Sequence, residues 1–118
     1  MHRVFRTEWY ERKLERLDKT EHDRVLKFEQ ALKEQPYIGK PLGYEWFREK
    51  KFDGKRLLFL IYENHNVVFL ITITDKKTQQ AAIELIKANL DAYKDLIEDA
   101  IKKIPHIFVC LNSLEFRA

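Results

Sequence analysis

The sequence contains little of what stabilises small extracellular domains or anchors a protein in a membrane. It has one cysteine among 118 residues, Cys110, so it cannot form a disulfide within the chain, which is typical of a reducing compartment. Its N-terminal stretch, MHRVFRTEWYERK, has no apolar segment of the kind that signal peptides contain. Its apolar runs are all shorter than the roughly 20 residues that a transmembrane helix needs. We therefore expect a cytoplasmic protein that does not bind membranes.

Glycine and proline are also scarce, with three residues of each, and the chain has no repeat or low-complexity segment. Hydrophobic residues make up 45% of the sequence and charged residues 35%, which is ordinary for a globular protein. A chain of this length buries a sufficient core without metals or disulfides. The composition therefore predicts one domain that spans residues 1–118.

The positive charge is unevenly distributed along the chain. There are 22 basic and 19 acidic residues, and the formal net charge is +3. Residues 40–56 contain six of the basic and three of the acidic residues, so the remainder carries 16 of each sign. This local excess of cations predicts an anion-binding site, whereas the alternative is that basic side chains protect an exposed edge strand from aggregation. The charged residues of this segment are Lys40, Glu45, Arg48, Glu49, Lys50, Lys51, Asp53, Lys55 and Arg56.

The first third of the chain has the pattern of one strand and two helices. Residues 2–7 (HRVFRT) read as a short strand, and residues 8–17 as a short amphipathic helix. A second helix, capped by Asp18 or Thr20, is predicted to end near Gln35. The apolar residues at helical spacing are Trp9, Tyr10, Leu14, Leu17, Val25, Phe28 and Leu32.

The middle of the chain has the pattern of three strands. The segment PYIGKPLG (residues 36–43) is dense in helix breakers and ends the helical part. Beyond it, YEWFREKKF alternates imperfectly, whereas RLLFLIY and VVFLITIT contain apolar residues on both alternations and should therefore be covered on both faces or lie centrally in a sheet. The turn signals Asp53-Gly54 and Asn64-His65-Asn66 separate these runs and predict an antiparallel meander. His65 is interpreted as a turn residue.

The first hairpin of this meander has two possible registers. A two-residue turn at Asp53-Gly54 pairs Lys51 with Arg56 and places Glu49 diagonal to Arg56, where its carboxylate neutralises the guanidinium. Like charges that face each other directly destabilise a strand pair.

The alternative is a three-residue loop at residues 52–54 with Gly54 in the left-handed conformation. This register pairs Lys50 with Arg56 and places Arg48 on the same face of the sheet. We predict the three-residue loop, because it gathers three cations into one phosphate site.

A long helical stripe follows the meander. Apolar residues recur at steps of three and four from Ile83 to Ile104, which predicts a helix over residues 77–104 about 40 Å long. Because a small sheet cannot cover such a stripe, we expect burial in a homodimer or beneath a partner helix. A break near Asn89 is the alternative. Pro105 ends the helix, and the tail at residues 105–118 includes the β-prone run IFVCL.

The order strand, helix, helix, three antiparallel strands, helix resembles the RelE/ParE superfamily of toxins from toxin-antitoxin modules. The resemblance covers roughly residues 2–85 and implies an α+β, RelE-like fold and a cytoplasmic toxin that a cognate antitoxin neutralises. The segments that carry it are ERKLERLDK, LKEQPYIGKPLG and FDGKRLLFLIYENHNVVFLITI.

In the RelE branch, the resemblance implies an endoribonuclease that cleaves messenger RNA on the ribosome without a metal or a cofactor. The expected catalytic residues are Arg56, Lys50 and Arg48. The residues expected to bind RNA phosphates are Lys51, Lys55, Lys76 and Lys77.

The chain departs from this branch at one position. The tyrosine that the resemblance places near Ala81 or Ala82 is absent, and Tyr93 would serve only if the helix bends back. The alternative function is that of a ParE-like or degenerate toxin, which acts by protein contact with DNA gyrase or binds only its antitoxin.

Overall fold

The chain folds into one mixed sheet with helices on both faces. A computed structural model describes residues 1–103 and 110–111. The elements are β1 (Arg3–Thr7), α1 (Glu8–Glu15), α2 (Lys19–Glu34), β2 (Lys40–Tyr44), β3 (Phe47–Phe52), β4 (Lys55–Tyr62), β5 (Val67–Asp75), α3 (Gln79–Ala88), α4 (Leu90–Lys103) and β6 (Cys110–Leu111). The strand order is β2-β3-β4-β5-β1-β6. Strands β2 to β5 form antiparallel pairs, and β1 is parallel to both β5 and β6.

The predicted α+β class is confirmed, and the two strands predicted to be central, β4 and β5, are buried on both faces. One face of the sheet packs against α1 and α2 and is called the α2 face; it includes Leu57 and Phe59. The other packs against α3 and α4 and is called the α3 face; it includes Leu58, Leu60 and Phe69. No helix within the described residues is long and apolar enough to cross a bilayer.

Helix α2 begins at Asp18, one of the two predicted caps. The Asp18 carboxylate accepts a hydrogen bond from the backbone N–H of Glu21 at 2.8 Å, and the Glu21 side chain returns a contact to the Asp18 N–H at 3.4 Å. This capping box satisfies two amide donors that a helix N-terminus leaves unpaired.

Strand β2 was not predicted, because its sequence contains Pro41 and Gly43. It forms the edge of the sheet, where a proline is tolerated since its missing N–H costs no ladder hydrogen bond there. Tyr44 pairs with Phe47 across a tight turn, so β3 begins at Phe47, three residues later than the predicted first meander strand.

The predicted three-residue loop in the first hairpin is wrong. Lys51 pairs with Arg56, and the turn consists of Asp53 and Gly54 alone. Both turn residues have positive φ, 47° and 76°, which matches the twist of antiparallel strands without a bulge. In this register, Arg48 and Lys50 lie on the α2 face and Arg56 on the α3 face, so the expected cluster of these three cations does not form.

The predicted continuous helix is divided at Asn89 into α3 and α4. The Asn89 side chain donates a hydrogen bond to the carbonyl oxygen of Leu85 at 2.7 Å, a local contact that competes with helix continuation. Tyr93 and Ile97 are fully buried in the core of the chain itself. The stripe therefore needs no second subunit at these positions, which removes the reason for expecting a homodimer.

The predictions for Ile104, Pro105 and most of the tail at residues 105–118 lie outside the described residues. Within that tail, Cys110 and Leu111 pair with Arg6 and Thr7 at the sheet edge. This pairing agrees with the β-prone character of IFVCL.

Candidate anion-binding site

A pair of cations lies at one end of the sheet, on the α3 face. Lys51 of β3 and Arg56 of β4 are directly opposite each other, and Thr74 of β5 is opposite Arg56 on its other side. Lys51 is exposed, and Arg56 donates a hydrogen bond to the carbonyl oxygen of Gly54 at 3.3 Å. Because like charges repel in this arrangement, a bound anion would stabilise it.

A buried carboxylate compensates part of this charge. Glu49 is only 3% exposed, and its Oε1 lies 3.8 Å from Nε of Arg56. The same carboxylate accepts hydrogen bonds from Nε2 of Gln79 at 2.5 and 3.2 Å, which links the first turn of α3 to the sheet. Of the two registers that the sequence allows for this hairpin, only the two-residue turn places Glu49 beside Arg56, and no pattern in the sequence indicates the contact with Gln79.

Several buried polar atoms around Arg56 lack hydrogen-bond partners within the described residues. They are Nε of Arg56 and the hydroxyl oxygens of Thr72 and Thr74. An unsatisfied buried polar group costs about 1–3 kcal/mol, so a ligand or water that reached these atoms would be bound favourably. Because these atoms are buried, a ligand would reach them only if the side chains that cover them moved.

Two further predicted phosphate ligands, Lys76 and Lys77, are exposed at the same end of the sheet. They follow Asp75, which pairs with Lys55 across the sheet. The backbone N–H and hydroxyl of Thr78 donate to Asp75 at 2.9 and 3.0 Å, and these hydrogen bonds lower the pKa of Asp75. Asp75 therefore stays ionised and reduces the positive charge of this end by one.

Arg48, a predicted catalytic residue, is buried on the α2 face and serves the structure. Its guanidinium donates hydrogen bonds to the carbonyl oxygens of Ile38, Gly39 and Glu45 at 3.3, 3.0 and 3.2 Å. These contacts hold the loop before β2 against β3. Such a side chain is not available to a phosphate on the α3 face.

Lys50 and Lys55 also lie on the α2 face. Nζ of Lys50 is 5.3 Å from the ring centre of Phe28, a cation–π contact. Nζ of Lys55 is 2.6 Å from a carboxylate oxygen of Glu21, and this hydrogen bond raises the pKa of Lys55. The structure thus separates these two cations from Lys51 and Arg56.

Tyr93 does not replace the missing tyrosine. Although the helix breaks before it, Tyr93 is only 1% exposed and packs edge-to-face on Phe69, with ring centres 5.8 Å apart. Burial raises its pKa above the ordinary tyrosine value. Phe69 pairs with Leu60, four residues along β4 from Arg56, so Tyr93 lies away from the cationic pair.

The described residues contain no group of three or more histidine, cysteine or carboxylate side chains arranged to hold a metal ion. The side chains that the structure brings together here include the cations Lys51 and Arg56, the hydroxyl group of Thr74 and the buried carboxylate of Glu49.

Solved structures identify the fold. No protein-family model and no curated protein matches the chain. A chain of the intact RelBE toxin-antitoxin complex of E. coli is 22% identical, with a TM-score of 0.59 over 64% of this chain and 96% of that one. A free mutant of E. coli RelE is 21% identical, with a TM-score of 0.64 over 74% of this chain and 96% of that one. A chain of the M. tuberculosis RelBE2 complex is 25% identical, with a TM-score of 0.56 over 64% and 98%. The protein therefore has the RelE-like toxin fold.

Proposed function

We propose that this protein is the toxin of a toxin-antitoxin pair, neutralised by a cognate antitoxin, and that it cleaves messenger RNA on the ribosome without a metal. Two observations support the proposal together. The fold is similar to that of RelE chains solved in complexes with antitoxins. The observation that carries the proposal is the direct opposition of Lys51 and Arg56 on the α3 face, with Lys76 and Lys77 at the same end of the sheet.

These cations suit the backbone of RNA. Lys51, Lys76 and Lys77 are exposed and supply contacts that depend on charge and not on base identity. Arg56 is better suited to the scissile phosphate, because its guanidinium is partly buried and the charge that it stabilises is poorly screened there.

Cleavage at a ribose requires a base that takes the proton of the 2′-hydroxyl, so that the 2′-oxygen attacks phosphorus while the bond to the 5′-oxygen breaks. Glu49 is the buried carboxylate next to Arg56 and is the residue that we assign as this base. The Lys51 ammonium, opposite Arg56, is the proton donor assigned to the leaving 5′-oxygen. Gln79 covers Glu49 in the free protein, so the substrate hydroxyl has to displace the Gln79 amide.

A second function is favoured by what this end of the sheet lacks. Arg48 is committed to the loop before β2, and Tyr93 is buried in the core, so the set of reactive groups is smaller than the resemblance to RelE implies. A toxin that acts by protein contact, on DNA gyrase or on its antitoxin alone, requires none of these groups.

Controlled expression in a bacterial host separates the two functions. An endoribonuclease arrests translation, and mapping of messenger RNA ends reveals cuts inside codons that are being translated. Arg56→Ala should remove both effects, because loss of one electrostatic contact to the transition state lowers the rate by about 100-fold or more. Lys50→Ala is the matched control, since Lys50 lies on the opposite face of the same hairpin.

Growth arrest with intact messages and damaged DNA would instead establish the second function. In that case Arg56→Ala and Lys50→Ala should be equally toxic. Co-expression of the product of an adjacent short reading frame tests the antitoxin, which should restore growth and co-purify with the toxin.

A further inference from the structure

A second feature lies at the opposite end of the sheet from Lys51 and Arg56. A cavity of about 660 Å³ opens between the β2–β3 turn, the β4–β5 turn and the start of α4. Its lining includes Trp46 from the first turn, Tyr62 and His65 from the second, and Leu90 and Asp91 from α4. Neither the fold nor the proposed ribonuclease chemistry requires an open cavity here.

The wall of this cavity contains exposed aromatic side chains. Tyr44 and Trp46 are 43% and 38% exposed, and their rings are stacked with centres 4.3 Å apart. Tyr37 is also 43% exposed at the same cavity. Nζ of Lys87 lies 5.8 Å from the ring centre of Tyr44, so this aromatic pair already attracts one cation of the chain itself.

The charges that line the cavity are mainly negative. Four carboxylates face one ammonium group, so the lining carries three net negative charges when His65 is neutral. Asp91 has no ion-pair partner among the described residues, and Glu98 has only His65, at 3.6 Å. The four acidic residues are Glu45, Glu63, Asp91 and Glu98, and the basic residue is Lys94.

Two of these carboxylates are already partly used within the chain. Glu63 accepts hydrogen bonds from Tyr37 at 2.6 Å and from His2 at 3.2 Å, which lower its pKa and keep it ionised. Glu45 contacts Arg48 at 3.2 Å. Asp91 and Glu98, both on α4, therefore have the most charge left for a ligand.

We propose that this cavity binds a lysine or arginine side chain from a basic, linear segment of a protein partner. The cationic group lies against the Trp46 side chain and is neutralised by Asp91 and Glu98, while the apolar lining takes up its methylene groups. The net negative charge disfavours a phosphate backbone at this end. The inference depends on the geometry of this cavity and stands whether or not the protein cleaves RNA.

The test is an NMR titration of the full-length protein, which has two tryptophan indole N–H resonances. The resonance that disappears in Trp46→Phe belongs to Trp46. The probes are acetyl-Gly-Leu-Arg-Leu-Gly-amide and the same peptide with citrulline, a neutral group of the same shape as arginine. The arginine peptide should shift the Trp46 resonance, and the citrulline peptide should bind at least about fivefold more weakly. Asp91→Asn should weaken binding of the arginine peptide, whereas Lys51→Ala, at the other end of the sheet, should leave this binding unchanged.

Three results would overturn the proposal. Equal binding of both peptides would identify an apolar groove with no preference for cations. A shift of the Trp46 resonance by a single-stranded oligonucleotide, but not by the arginine peptide, would identify a surface for stacking of bases. Absence of any shift from the arginine peptide in the folded protein would show that the cavity is not open to a partner.

Discussion

Lys51 and Arg56 lie directly opposite each other on β3 and β4, and both side chains are on the α3 face of the sheet. The two-residue turn at Asp53-Gly54 imposes this arrangement, because one more residue in the loop would pair Arg56 with Lys50 instead. Within the described residues, Glu49 contacts the guanidinium of Arg56 and forms no ion pair with Lys51, so the positive charge of Lys51 remains for a ligand. This pair is the centre of the proposed RNA site.

The first prediction compares two adjacent lysines of β3. Lys51→Ala should weaken binding of single-stranded RNA about tenfold at low salt, because one charge-assisted contact is lost. The slope of log affinity against log salt concentration should fall by about 0.7, the value for one phosphate contact on a single strand. Lys50→Ala should change neither quantity, since Lys50 lies on the α2 face. Equal losses in the two variants, measured by fluorescence anisotropy, would mean that the α3 face is not the binding surface.

The second prediction concerns the role of Arg48. Arg48→Lys keeps the charge but cannot reproduce three hydrogen bonds to the carbonyl oxygens of Ile38, Gly39 and Glu45. We expect the free energy of unfolding to fall by about 2–3 kcal/mol, with RNA affinity of the folded protein unchanged. Urea denaturation and RNA titration provide the two measurements. A variant with normal stability and lost RNA affinity would contradict the structural role.

The third prediction uses two glycines with similar backbone conformations. Gly39 has a φ of 84°, and a methyl group added there would lie 2.1 Å from the carbonyl oxygen of Glu49. Gly39→Ala should therefore lower the free energy of unfolding by more than about 3 kcal/mol, because a backbone atom has to move. Gly54 has a φ of 76° with nothing within 4 Å of the added methyl group, so Gly54→Ala should cost only about 1–2 kcal/mol. Similar losses in urea denaturation would show that the loop before β2 adjusts freely.

The fourth prediction is a loss of stability at alkaline pH. Burial raises the pKa of Tyr10 above its ordinary value of 10.0, with a further contribution from Glu29, which accepts the Tyr10 hydroxyl proton in a 2.5 Å hydrogen bond. Burial also raises the pKa of Tyr62 and Tyr93. Above pH 10.0 the unfolded chain releases phenol protons that the folded chain keeps. The contribution of these tyrosines to the free energy of unfolding is therefore fully present below this pH and is lost as the pH rises above it.

Urea denaturation between about pH 8 and about pH 11 measures this decline. Tyr10→Phe should make the decline shallower and should lower stability near neutral pH by about 1–3 kcal/mol, because Glu29 loses a donor. Arg6 still donates to Glu29 at 2.8 Å in this variant, so the carboxylate keeps a partner. A decline as steep as that of the unmodified protein would show that Tyr10 does not contribute to it.

The site was only partly predictable from the sequence. The cation excess in residues 40–56 drew attention to the first hairpin, where the structure places Lys51 opposite Arg56, and the two-residue register placed Glu49 beside Arg56. The predicted three-residue register is wrong, because the function expected of the cations does not determine the loop length. The turn itself favoured the other answer, since Asp53 and Gly54 both adopt the left-handed conformation that a two-residue hairpin requires.

The sequence by itself determined those properties of this protein that depend on near neighbours in the chain. The apolar runs of β4 and β5, the cap at Asp18 and the turn at Asn66 follow from side-chain spacing and local backbone preference. Only the tertiary structure decided which face of the sheet each cation occupies, because a shift of one residue in strand pairing moves a side chain to the other face. It also decided that Tyr93 is a core residue and that Pro41 lies within an edge strand, since burial and edge position depend on elements distant in the sequence.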